Sequence, residues 1–209
     1  MKAYVEHLLA EHLDEIVSRS LLHCHAPNLH SVVLLDVPEK RVRLFVAETG
    51  HTLWSNGPEV LRDGGPLSIA FHPHHCNITL CAVAGEVRNW RARPDSARAK
   101  FELDRFNYNS AITGKGADFR RVGRDGFLTR CVETVRAGES VRMAADEIHT
   151  VQVARGKSAA WLVFEGREDP KYLPYAWSNA DLEAETFGGL YCKASEGDVR
   201  TLLRAAHLT

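Results

Sequence analysis

The segment Phe71-His72-Pro73-His74-His75-Cys76 places three imidazoles within four residues, where the sequence reads as the start of a strand. In an extended chain alternate side chains share a face, so His72 and His74 can address one metal ion. Two imidazoles need a further donor from elsewhere to hold a divalent ion. His149 makes one available, a lone histidine that opens a strongly β sequence. Gly85 follows His74 by eleven residues, and Gly138 precedes His149 by eleven. His75 is the reserve ligand, because a bulge at Pro73 exchanges it with His74. Cys76 shares strand parity with His74 and is read as a small buried hydrophobe.

Other candidates are weaker. His23-Cys24-His25 with His30 could hold zinc, but the cluster lacks matching glycines and a remote partner. It reads better as a surface cap near a helix C-terminus, where the dipole favours imidazolium. Trp90-Arg91-Ala92-Arg93 with Arg120-Arg121 forms a basic stretch read as solvated strand and loop positions. Trp161 reads as core.

The elements that must position these residues are mostly strands. Val5, Leu9, Leu13, Ile16 and Val17 recur at helical spacing, so a helix is expected over Ala3 to Leu22, stopped by Ala26-Pro27-Asn28. Short apolar runs then recur at Ser31–Leu35, Val42–Val46, Leu67–Phe71, Ile78–Val83, Phe101–Tyr108, Phe127–Val135, His149–Val153 and Ala159–Phe164. Turns are expected at Asn56-Gly57, Asp63-Gly64-Gly65, Gly114-Lys115-Gly116, Arg124-Asp125-Gly126 and Ala137-Gly138. Many strands without intervening helices indicate an all-β sandwich or barrel. Ser195-Glu196-Gly197-Asp198 resembles a capping box before a closing helix over Val199 to His207. The stretch from Glu168 to Trp177 is expected to pack along the barrel wall.

At 209 residues the chain has the length of one domain at the usual ~150 residues. We expect a helical extension over 1–30, a β-barrel over 31–166 and a C-terminal wrap and helix over 167–209. Lys plus Arg total 26 against 27 Asp plus Glu, a formal charge of −1, which disfavours a general nucleic-acid surface. No apolar run approaches a membrane span, the N-terminus lacks a signal-peptide pattern, and five cysteines without C-x-x-C spacing read as reduced thiols. A cytoplasmic protein is expected.

The histidine and glycine spacing resembles the cupin superfamily, with first motif G-x5-H-x-H-x(3,4)-E-x6-G and second motif G-x5-P-x-G-x2-H-x3-N. His72, His74 and Gly85 match the first, with Gly65 one residue out of place, and Gly138 and His149 match the second. Ile78 or Thr79 takes the glutamate position, while Ala144, Asp146 and Val153 replace the proline, second glycine and asparagine. The resemblance implies an antiparallel cupin β-barrel, or double-stranded β-helix, with helices flanking it at both ends.

Without the glutamate, the implied ligand set is His72, His74 and His149, the composition with which thiol dioxygenases of this superfamily hold ferrous iron. The expected function is therefore a metal-dependent cupin oxygenase similar to cysteine dioxygenase, acting with dioxygen on a small-molecule thiol. That enzyme's cross-linked cysteine and tyrosine correspond to Thr79 and Gly166, so no cross-link is expected. Its substrate-carboxylate arginine lies on an early strand, which offers Arg41 and Arg43, and Arg43 is the candidate for substrate binding. Zinc, manganese or nickel are the other ions considered. The alternatives are a small-molecule-binding cupin without catalysis and a metal-dependent cupin isomerase, epimerase or lyase. A homodimer is a further expectation.

Overall fold

The computed structural model describes residues 2–49, 71–109, 118–154, 156–168, 175–178 and 191–209. The expected strand at Leu67 and the turns at Asn56-Gly57, Asp63-Gly64-Gly65 and Gly114-Lys115-Gly116 lie wholly or mostly outside these residues.

Helix α1 (Lys2–Arg19) opens the chain with a kink at His12. It ends earlier than the apolar spacing indicates. The Ser20 hydroxyl donates to Ile16 O at 2.6 Å and accepts from Val33 N at 3.1 Å, tying the helix end to the sheet. Leu21 then pairs with Lys193 and Ser31, so the last turn of the expected helix is the short strand β1 (Leu21–Leu22).

Eleven more strands follow. They are β2 (Leu29–Val37), β3 (Lys40–Ala47), β4 (Ile78–Ala84), β5 (Glu86–Pro94), β6 (Phe101–Asn109), β7 (Asp118–Arg136), β8 (Ser140–Met143), β9 (Ile148–Gln152), β10 (Ala159–Glu165), β11 (Tyr175–Ser178) and β12 (Cys192–Lys193). They form a seven-stranded sheet ordered β12-β1-β2-β3-β10-β4-β8 and a five-stranded sheet ordered β11-β6-β7-β5-β9. The named strand pairs are all antiparallel. From β4 to β10 the chain changes sheet between β4 and β5, between β7 and β8, between β8 and β9, and between β9 and β10, which is how a double-stranded β-helix winds. The protein is thus an all-β barrel of the double-stranded β-helix kind, with a helix on each side of it in the chain.

Strand β10 and residues 42–47 of β3 are apolar apart from Arg43 and Glu165, because both of their faces are covered. Val42, Leu44, Val46, Ala160 and Leu162 pack outward under α1 and the closing helix α2 (Glu196–Ala205). Phe45, Ala47, Trp161 and Val163 face inward, where they meet Val87, Val135 and Val153 of the other sheet. Trp161 is core, as expected, stacked on Phe45 with ring centroids 5.7 Å apart. Helix α2 begins on the capping box read from the sequence: Asp198 N donates to Ser195 Oγ and Ser195 N to Asp198 Oδ2.

The glycines of the two motifs stand together where the chain changes sheet. Gly85 has φ +70° and Gly138 φ +90°, left-handed conformations that cost a side chain energy. Ala137 N donates to Gly85 O, and Gly138 N to Ala82 O. A Cβ on Gly85 would lie 2.6 Å from Ser158 O, so that position excludes any other residue.

Two expectations fail here. Arg124-Asp125-Gly126 is no turn but the middle of β7, where a Cβ on Gly126 would meet Ala99 Cβ at 2.5 Å. That glycine serves close packing rather than a reversal. Part of the segment expected to wrap the barrel wall is strand β11, paired with β6.

Candidate metal centre

His72 and His149 are brought face to face by a pair of backbone hydrogen bonds, each N–H donating to the other's carbonyl at 3.2 Å. His74 N donates to Ala145 O at 3.1 Å, which pins the segment after Pro73 to the loop before β9. The three rings form a near-equilateral group, with centroid separations of 5.0 Å for His72–His74, 5.3 Å for His72–His149 and 5.0 Å for His74–His149. One nitrogen of each lies within 4.8 Å of the others, and among the described residues this is the one group of three or more His, Cys, Asp or Glu so placed.

A divalent ion fits this donor set. His74 Nε2 and His149 Nε2 are 2.8 Å apart, and His72 Nδ1 is buried with no hydrogen-bond partner among the described residues. A buried, unpaired ring nitrogen is costly unless something coordinates it. Burial, reinforced by the Arg43 guanidinium, pushes the His72 pKa down to about 4. Burial, followed by His72, also holds His74 and His149 well below their ordinary value. All three are therefore neutral at neutral pH, the state in which imidazole binds metal.

His75 lies outside the group, so the structure converges His74 rather than the reserve position. Cys76 is buried in the core, with its thiol pushed up to about 11 by burial. Ile78, in the glutamate position, is 3% exposed and faces the same interior, so this motif position holds no carboxylate. The His23, His25 and His30 cluster does not assemble. His23 Nδ1 accepts from Asn28 N at 2.9 Å and His30 Nδ1 from His23 N at 3.3 Å, uses that shape a turn. That turn lies beyond β1 rather than at a helix end, which also overturns the cap reading.

His25 leaves its neighbours and joins the metal-centre side of the molecule. Its ring centroid is 5.4 Å from that of His72, and its Nδ1 is 3.0 Å from the Tyr191 hydroxyl. Arg43 points inward, 6% exposed, and donates to Glu165 Oε1 at 3.0 Å and Ser31 Oγ at 3.2 Å. Arg41 shares the same glutamate at 3.2 Å.

Arg91, expected in solvent, is largely buried instead. It grips Glu133 through Nε at 2.9 Å and Nη2 at 3.1 Å, and also pairs with Glu147. Arg121 pairs with Asp104 at 2.7 Å. Glu133 accepts in addition from Asn89 Nδ2 at 2.9 Å, and Asn89 Oδ1 lies 2.7 Å from His149 Nδ1. Sequence reading missed Asn89 and Glu133. The available signal was parity: Asn89 follows Val87 by two residues and so shares its inward face.

No protein-family model matches the chain, and no curated protein matches it. Among solved structures it is similar to a conserved protein with a double-stranded β-helix domain from Klebsiella pneumoniae, at 11% identity over 73% of this chain and 86% of that one, TM-score 0.38. A cupin-2 domain protein from Shewanella frigidimarina shows 10% identity over 66% and 79%, TM-score 0.33. Hydroxypropylphosphonic acid epoxidase from S. wedmorenis shows 12% identity over 70% of this chain and 55% of that chain, TM-score 0.39. These TM-scores are low, and the barrel is established by the strand order itself. Among the described residues no helix is long and apolar enough to cross a membrane.

Proposed function

We propose that the protein is a metal-dependent cupin oxygenase in which His72, His74 and His149 hold iron(II), and that it oxidises a small anionic thiol with dioxygen. The observation that carries this reading is the cluster of three neutral imidazoles without a carboxylate among its donors. Iron(II) held by His72, His74 and His149 would supply electron transfer to dioxygen, so that RSH and O2 would give the sulfinic acid RSO2H with no further reductant.

The chain's own groups set the charge that selects such a substrate. Neutral ligands leave the ion's two positive charges uncompensated, whereas a carboxylate ligand would cancel one of them. Arg43 and Arg91 add positive potential, Arg43 at His72 and His74 and Arg91 at His149. Each guanidinium is itself paired with glutamate, so the ion dominates the pull on an anion. Phe45 of the apolar core stacks at 6.4 Å on His25, whose ring lies 5.4 Å from His72, and the lower dielectric of that side strengthens the attraction.

Protein reconstituted anaerobically with iron(II) tests the proposal on an oxygen electrode with a panel of small thiols. Stoichiometric oxygen uptake with sulfinate formation is the expected result. Retained iron without uptake on any thiol favours a binding cupin. A preference for zinc, manganese or nickel without uptake favours an isomerase, epimerase or lyase.

A further inference from the structure

We infer that Asn89 and Glu133 are positioning residues that fix the tautomer of His149 and thereby aim its Nε2 lone pair at the metal; this rests on the three-histidine reading above. Glu133 starts the chain of constraint. An ionised carboxylate only accepts hydrogen bonds, and Glu133 Oε2 receives both Arg91 Nε and Asn89 Nδ2, each at 2.9 Å. Arg91 Nη2 holds the other oxygen at 3.1 Å, so the carboxylate is clamped. The Asn89 amide must then turn its NH2 toward Glu133 and its carbonyl toward His149.

That carbonyl, 2.7 Å from His149 Nδ1, can be satisfied only by a proton on Nδ1. A neutral imidazole carries a single N–H, so Nε2 is left with its lone pair. In the 2.8 Å contact between the two Nε2 atoms, His74 is consequently the donor. Asn89 is 0% exposed, so water cannot offer its amide a substitute partner. A charge, an amide and an imidazole are thus linked across three neighbouring strands, β7, β5 and β9. Such partners of a ligand histidine set both ring orientation and ligand basicity.

The test uses histidine-labelled, metal-free protein, in which long-range proton–nitrogen correlation spectra show which ring nitrogen of His149 is protonated, alongside zinc titration. Wild type should carry the proton on Nδ1. Asn89→Leu should lose that preference and weaken zinc binding by about 10–100-fold. Glu133→Gln should give mixed tautomers, because a glutamine can donate to Asn89 and let the amide turn.

Asn89→Asp combined with Glu133→Gln should restore the Nδ1 proton and most of the zinc affinity, since the aspartate accepts from His149 while the glutamine donates to it. A merely structural role would not produce that rescue. An Nε2 proton in folded wild type, or an unchanged tautomer in folded Asn89→Leu, would overturn the inference. A correct tautomer in wild type without zinc binding would instead overturn the metal reading and leave the relay standing.

Discussion

Two histidine-rich segments lie in this chain, and they meet different fates. His72, His74 and His149 converge inside the barrel, while His23 and His30 spend their ring nitrogens on backbone amides of a turn. Local density of imidazole is similar in both. What differs is the backbone around them. The first group is held by strand pairing, with His72 and His149 in one ladder step and His74 tied to Ala145, so the three side chains are aimed before any ligand arrives. The second sits on residues with left-handed backbone, His23 at φ 52°, His25 at φ 70° and Asn28 at φ 58°, which turns successive side chains in divergent directions. Preorganisation by a sheet, rather than a count of donors, brings three imidazoles to one point.

The largest effect expected from this contrast is at His149. Replacing it with alanine should abolish divalent-metal retention, measured by elemental analysis, with an unchanged circular dichroism spectrum. Wild-type metal content in that variant would dissolve the distinction between the two clusters.

A second perturbation tests the interior charge. Ile78 lies opposite Glu165 on β10 and Met143 on β8, so Ile78→Glu places a carboxylate across from a carboxylate in a dry core. Metal-free protein should lose about 3–5 kcal/mol in denaturant unfolding. Added divalent metal should recover part of that loss, because position 78 faces the same interior. Under the proposed function, any thiol-dependent oxygen uptake should disappear as the site's net charge falls.

pH gives a smaller and graded effect. Burial lowers the His72 pKa to about 4 in the folded chain against an ordinary 6.5, and His74 and His149 are displaced in the same direction. Between those values the unfolded chain binds more protons than the folded one, so stability falls as pH falls. Melting temperatures of metal-free protein should decline from pH 6.5 toward 4, and His149→Ala should flatten the decline. A flat wild-type profile over that window would show that the imidazoles are not desolvated.

The smallest effect belongs to the other cluster. His23→Ala removes the acceptor for Asn28 N and should cost about 1 kcal/mol in stability, with zinc affinity unchanged. A loss of metal there would assign the turn to the site after all.

Much of this architecture was legible. The apolar runs of β3 and β10, the capping box at Ser195 and the glycine turn at Gly138 all express rules that act within a few residues. The early end of α1 was not, because Ser20 and Leu21 bond to strands distant in sequence. Nor was the uninterrupted course of β7 through Gly126, where packing against Ala99 overrides turn propensity.

The same division runs through the candidate site. Sequence alone determined the donor types, the two-residue spacing that puts His72 and His74 on one side, and the apolar residue in the glutamate position. Tertiary structure decided that His74 rather than His75 joins the group, that Arg43 pairs with the buried Glu165 and Arg91 with the half-buried Glu133, and that Glu133 reaches His149 through Asn89. The physical reason is range. Side-chain chemistry and backbone period are properties of neighbours in the chain, whereas Asn89 meets Glu133 on β7 and stands beside β9 only because strand register sets them there.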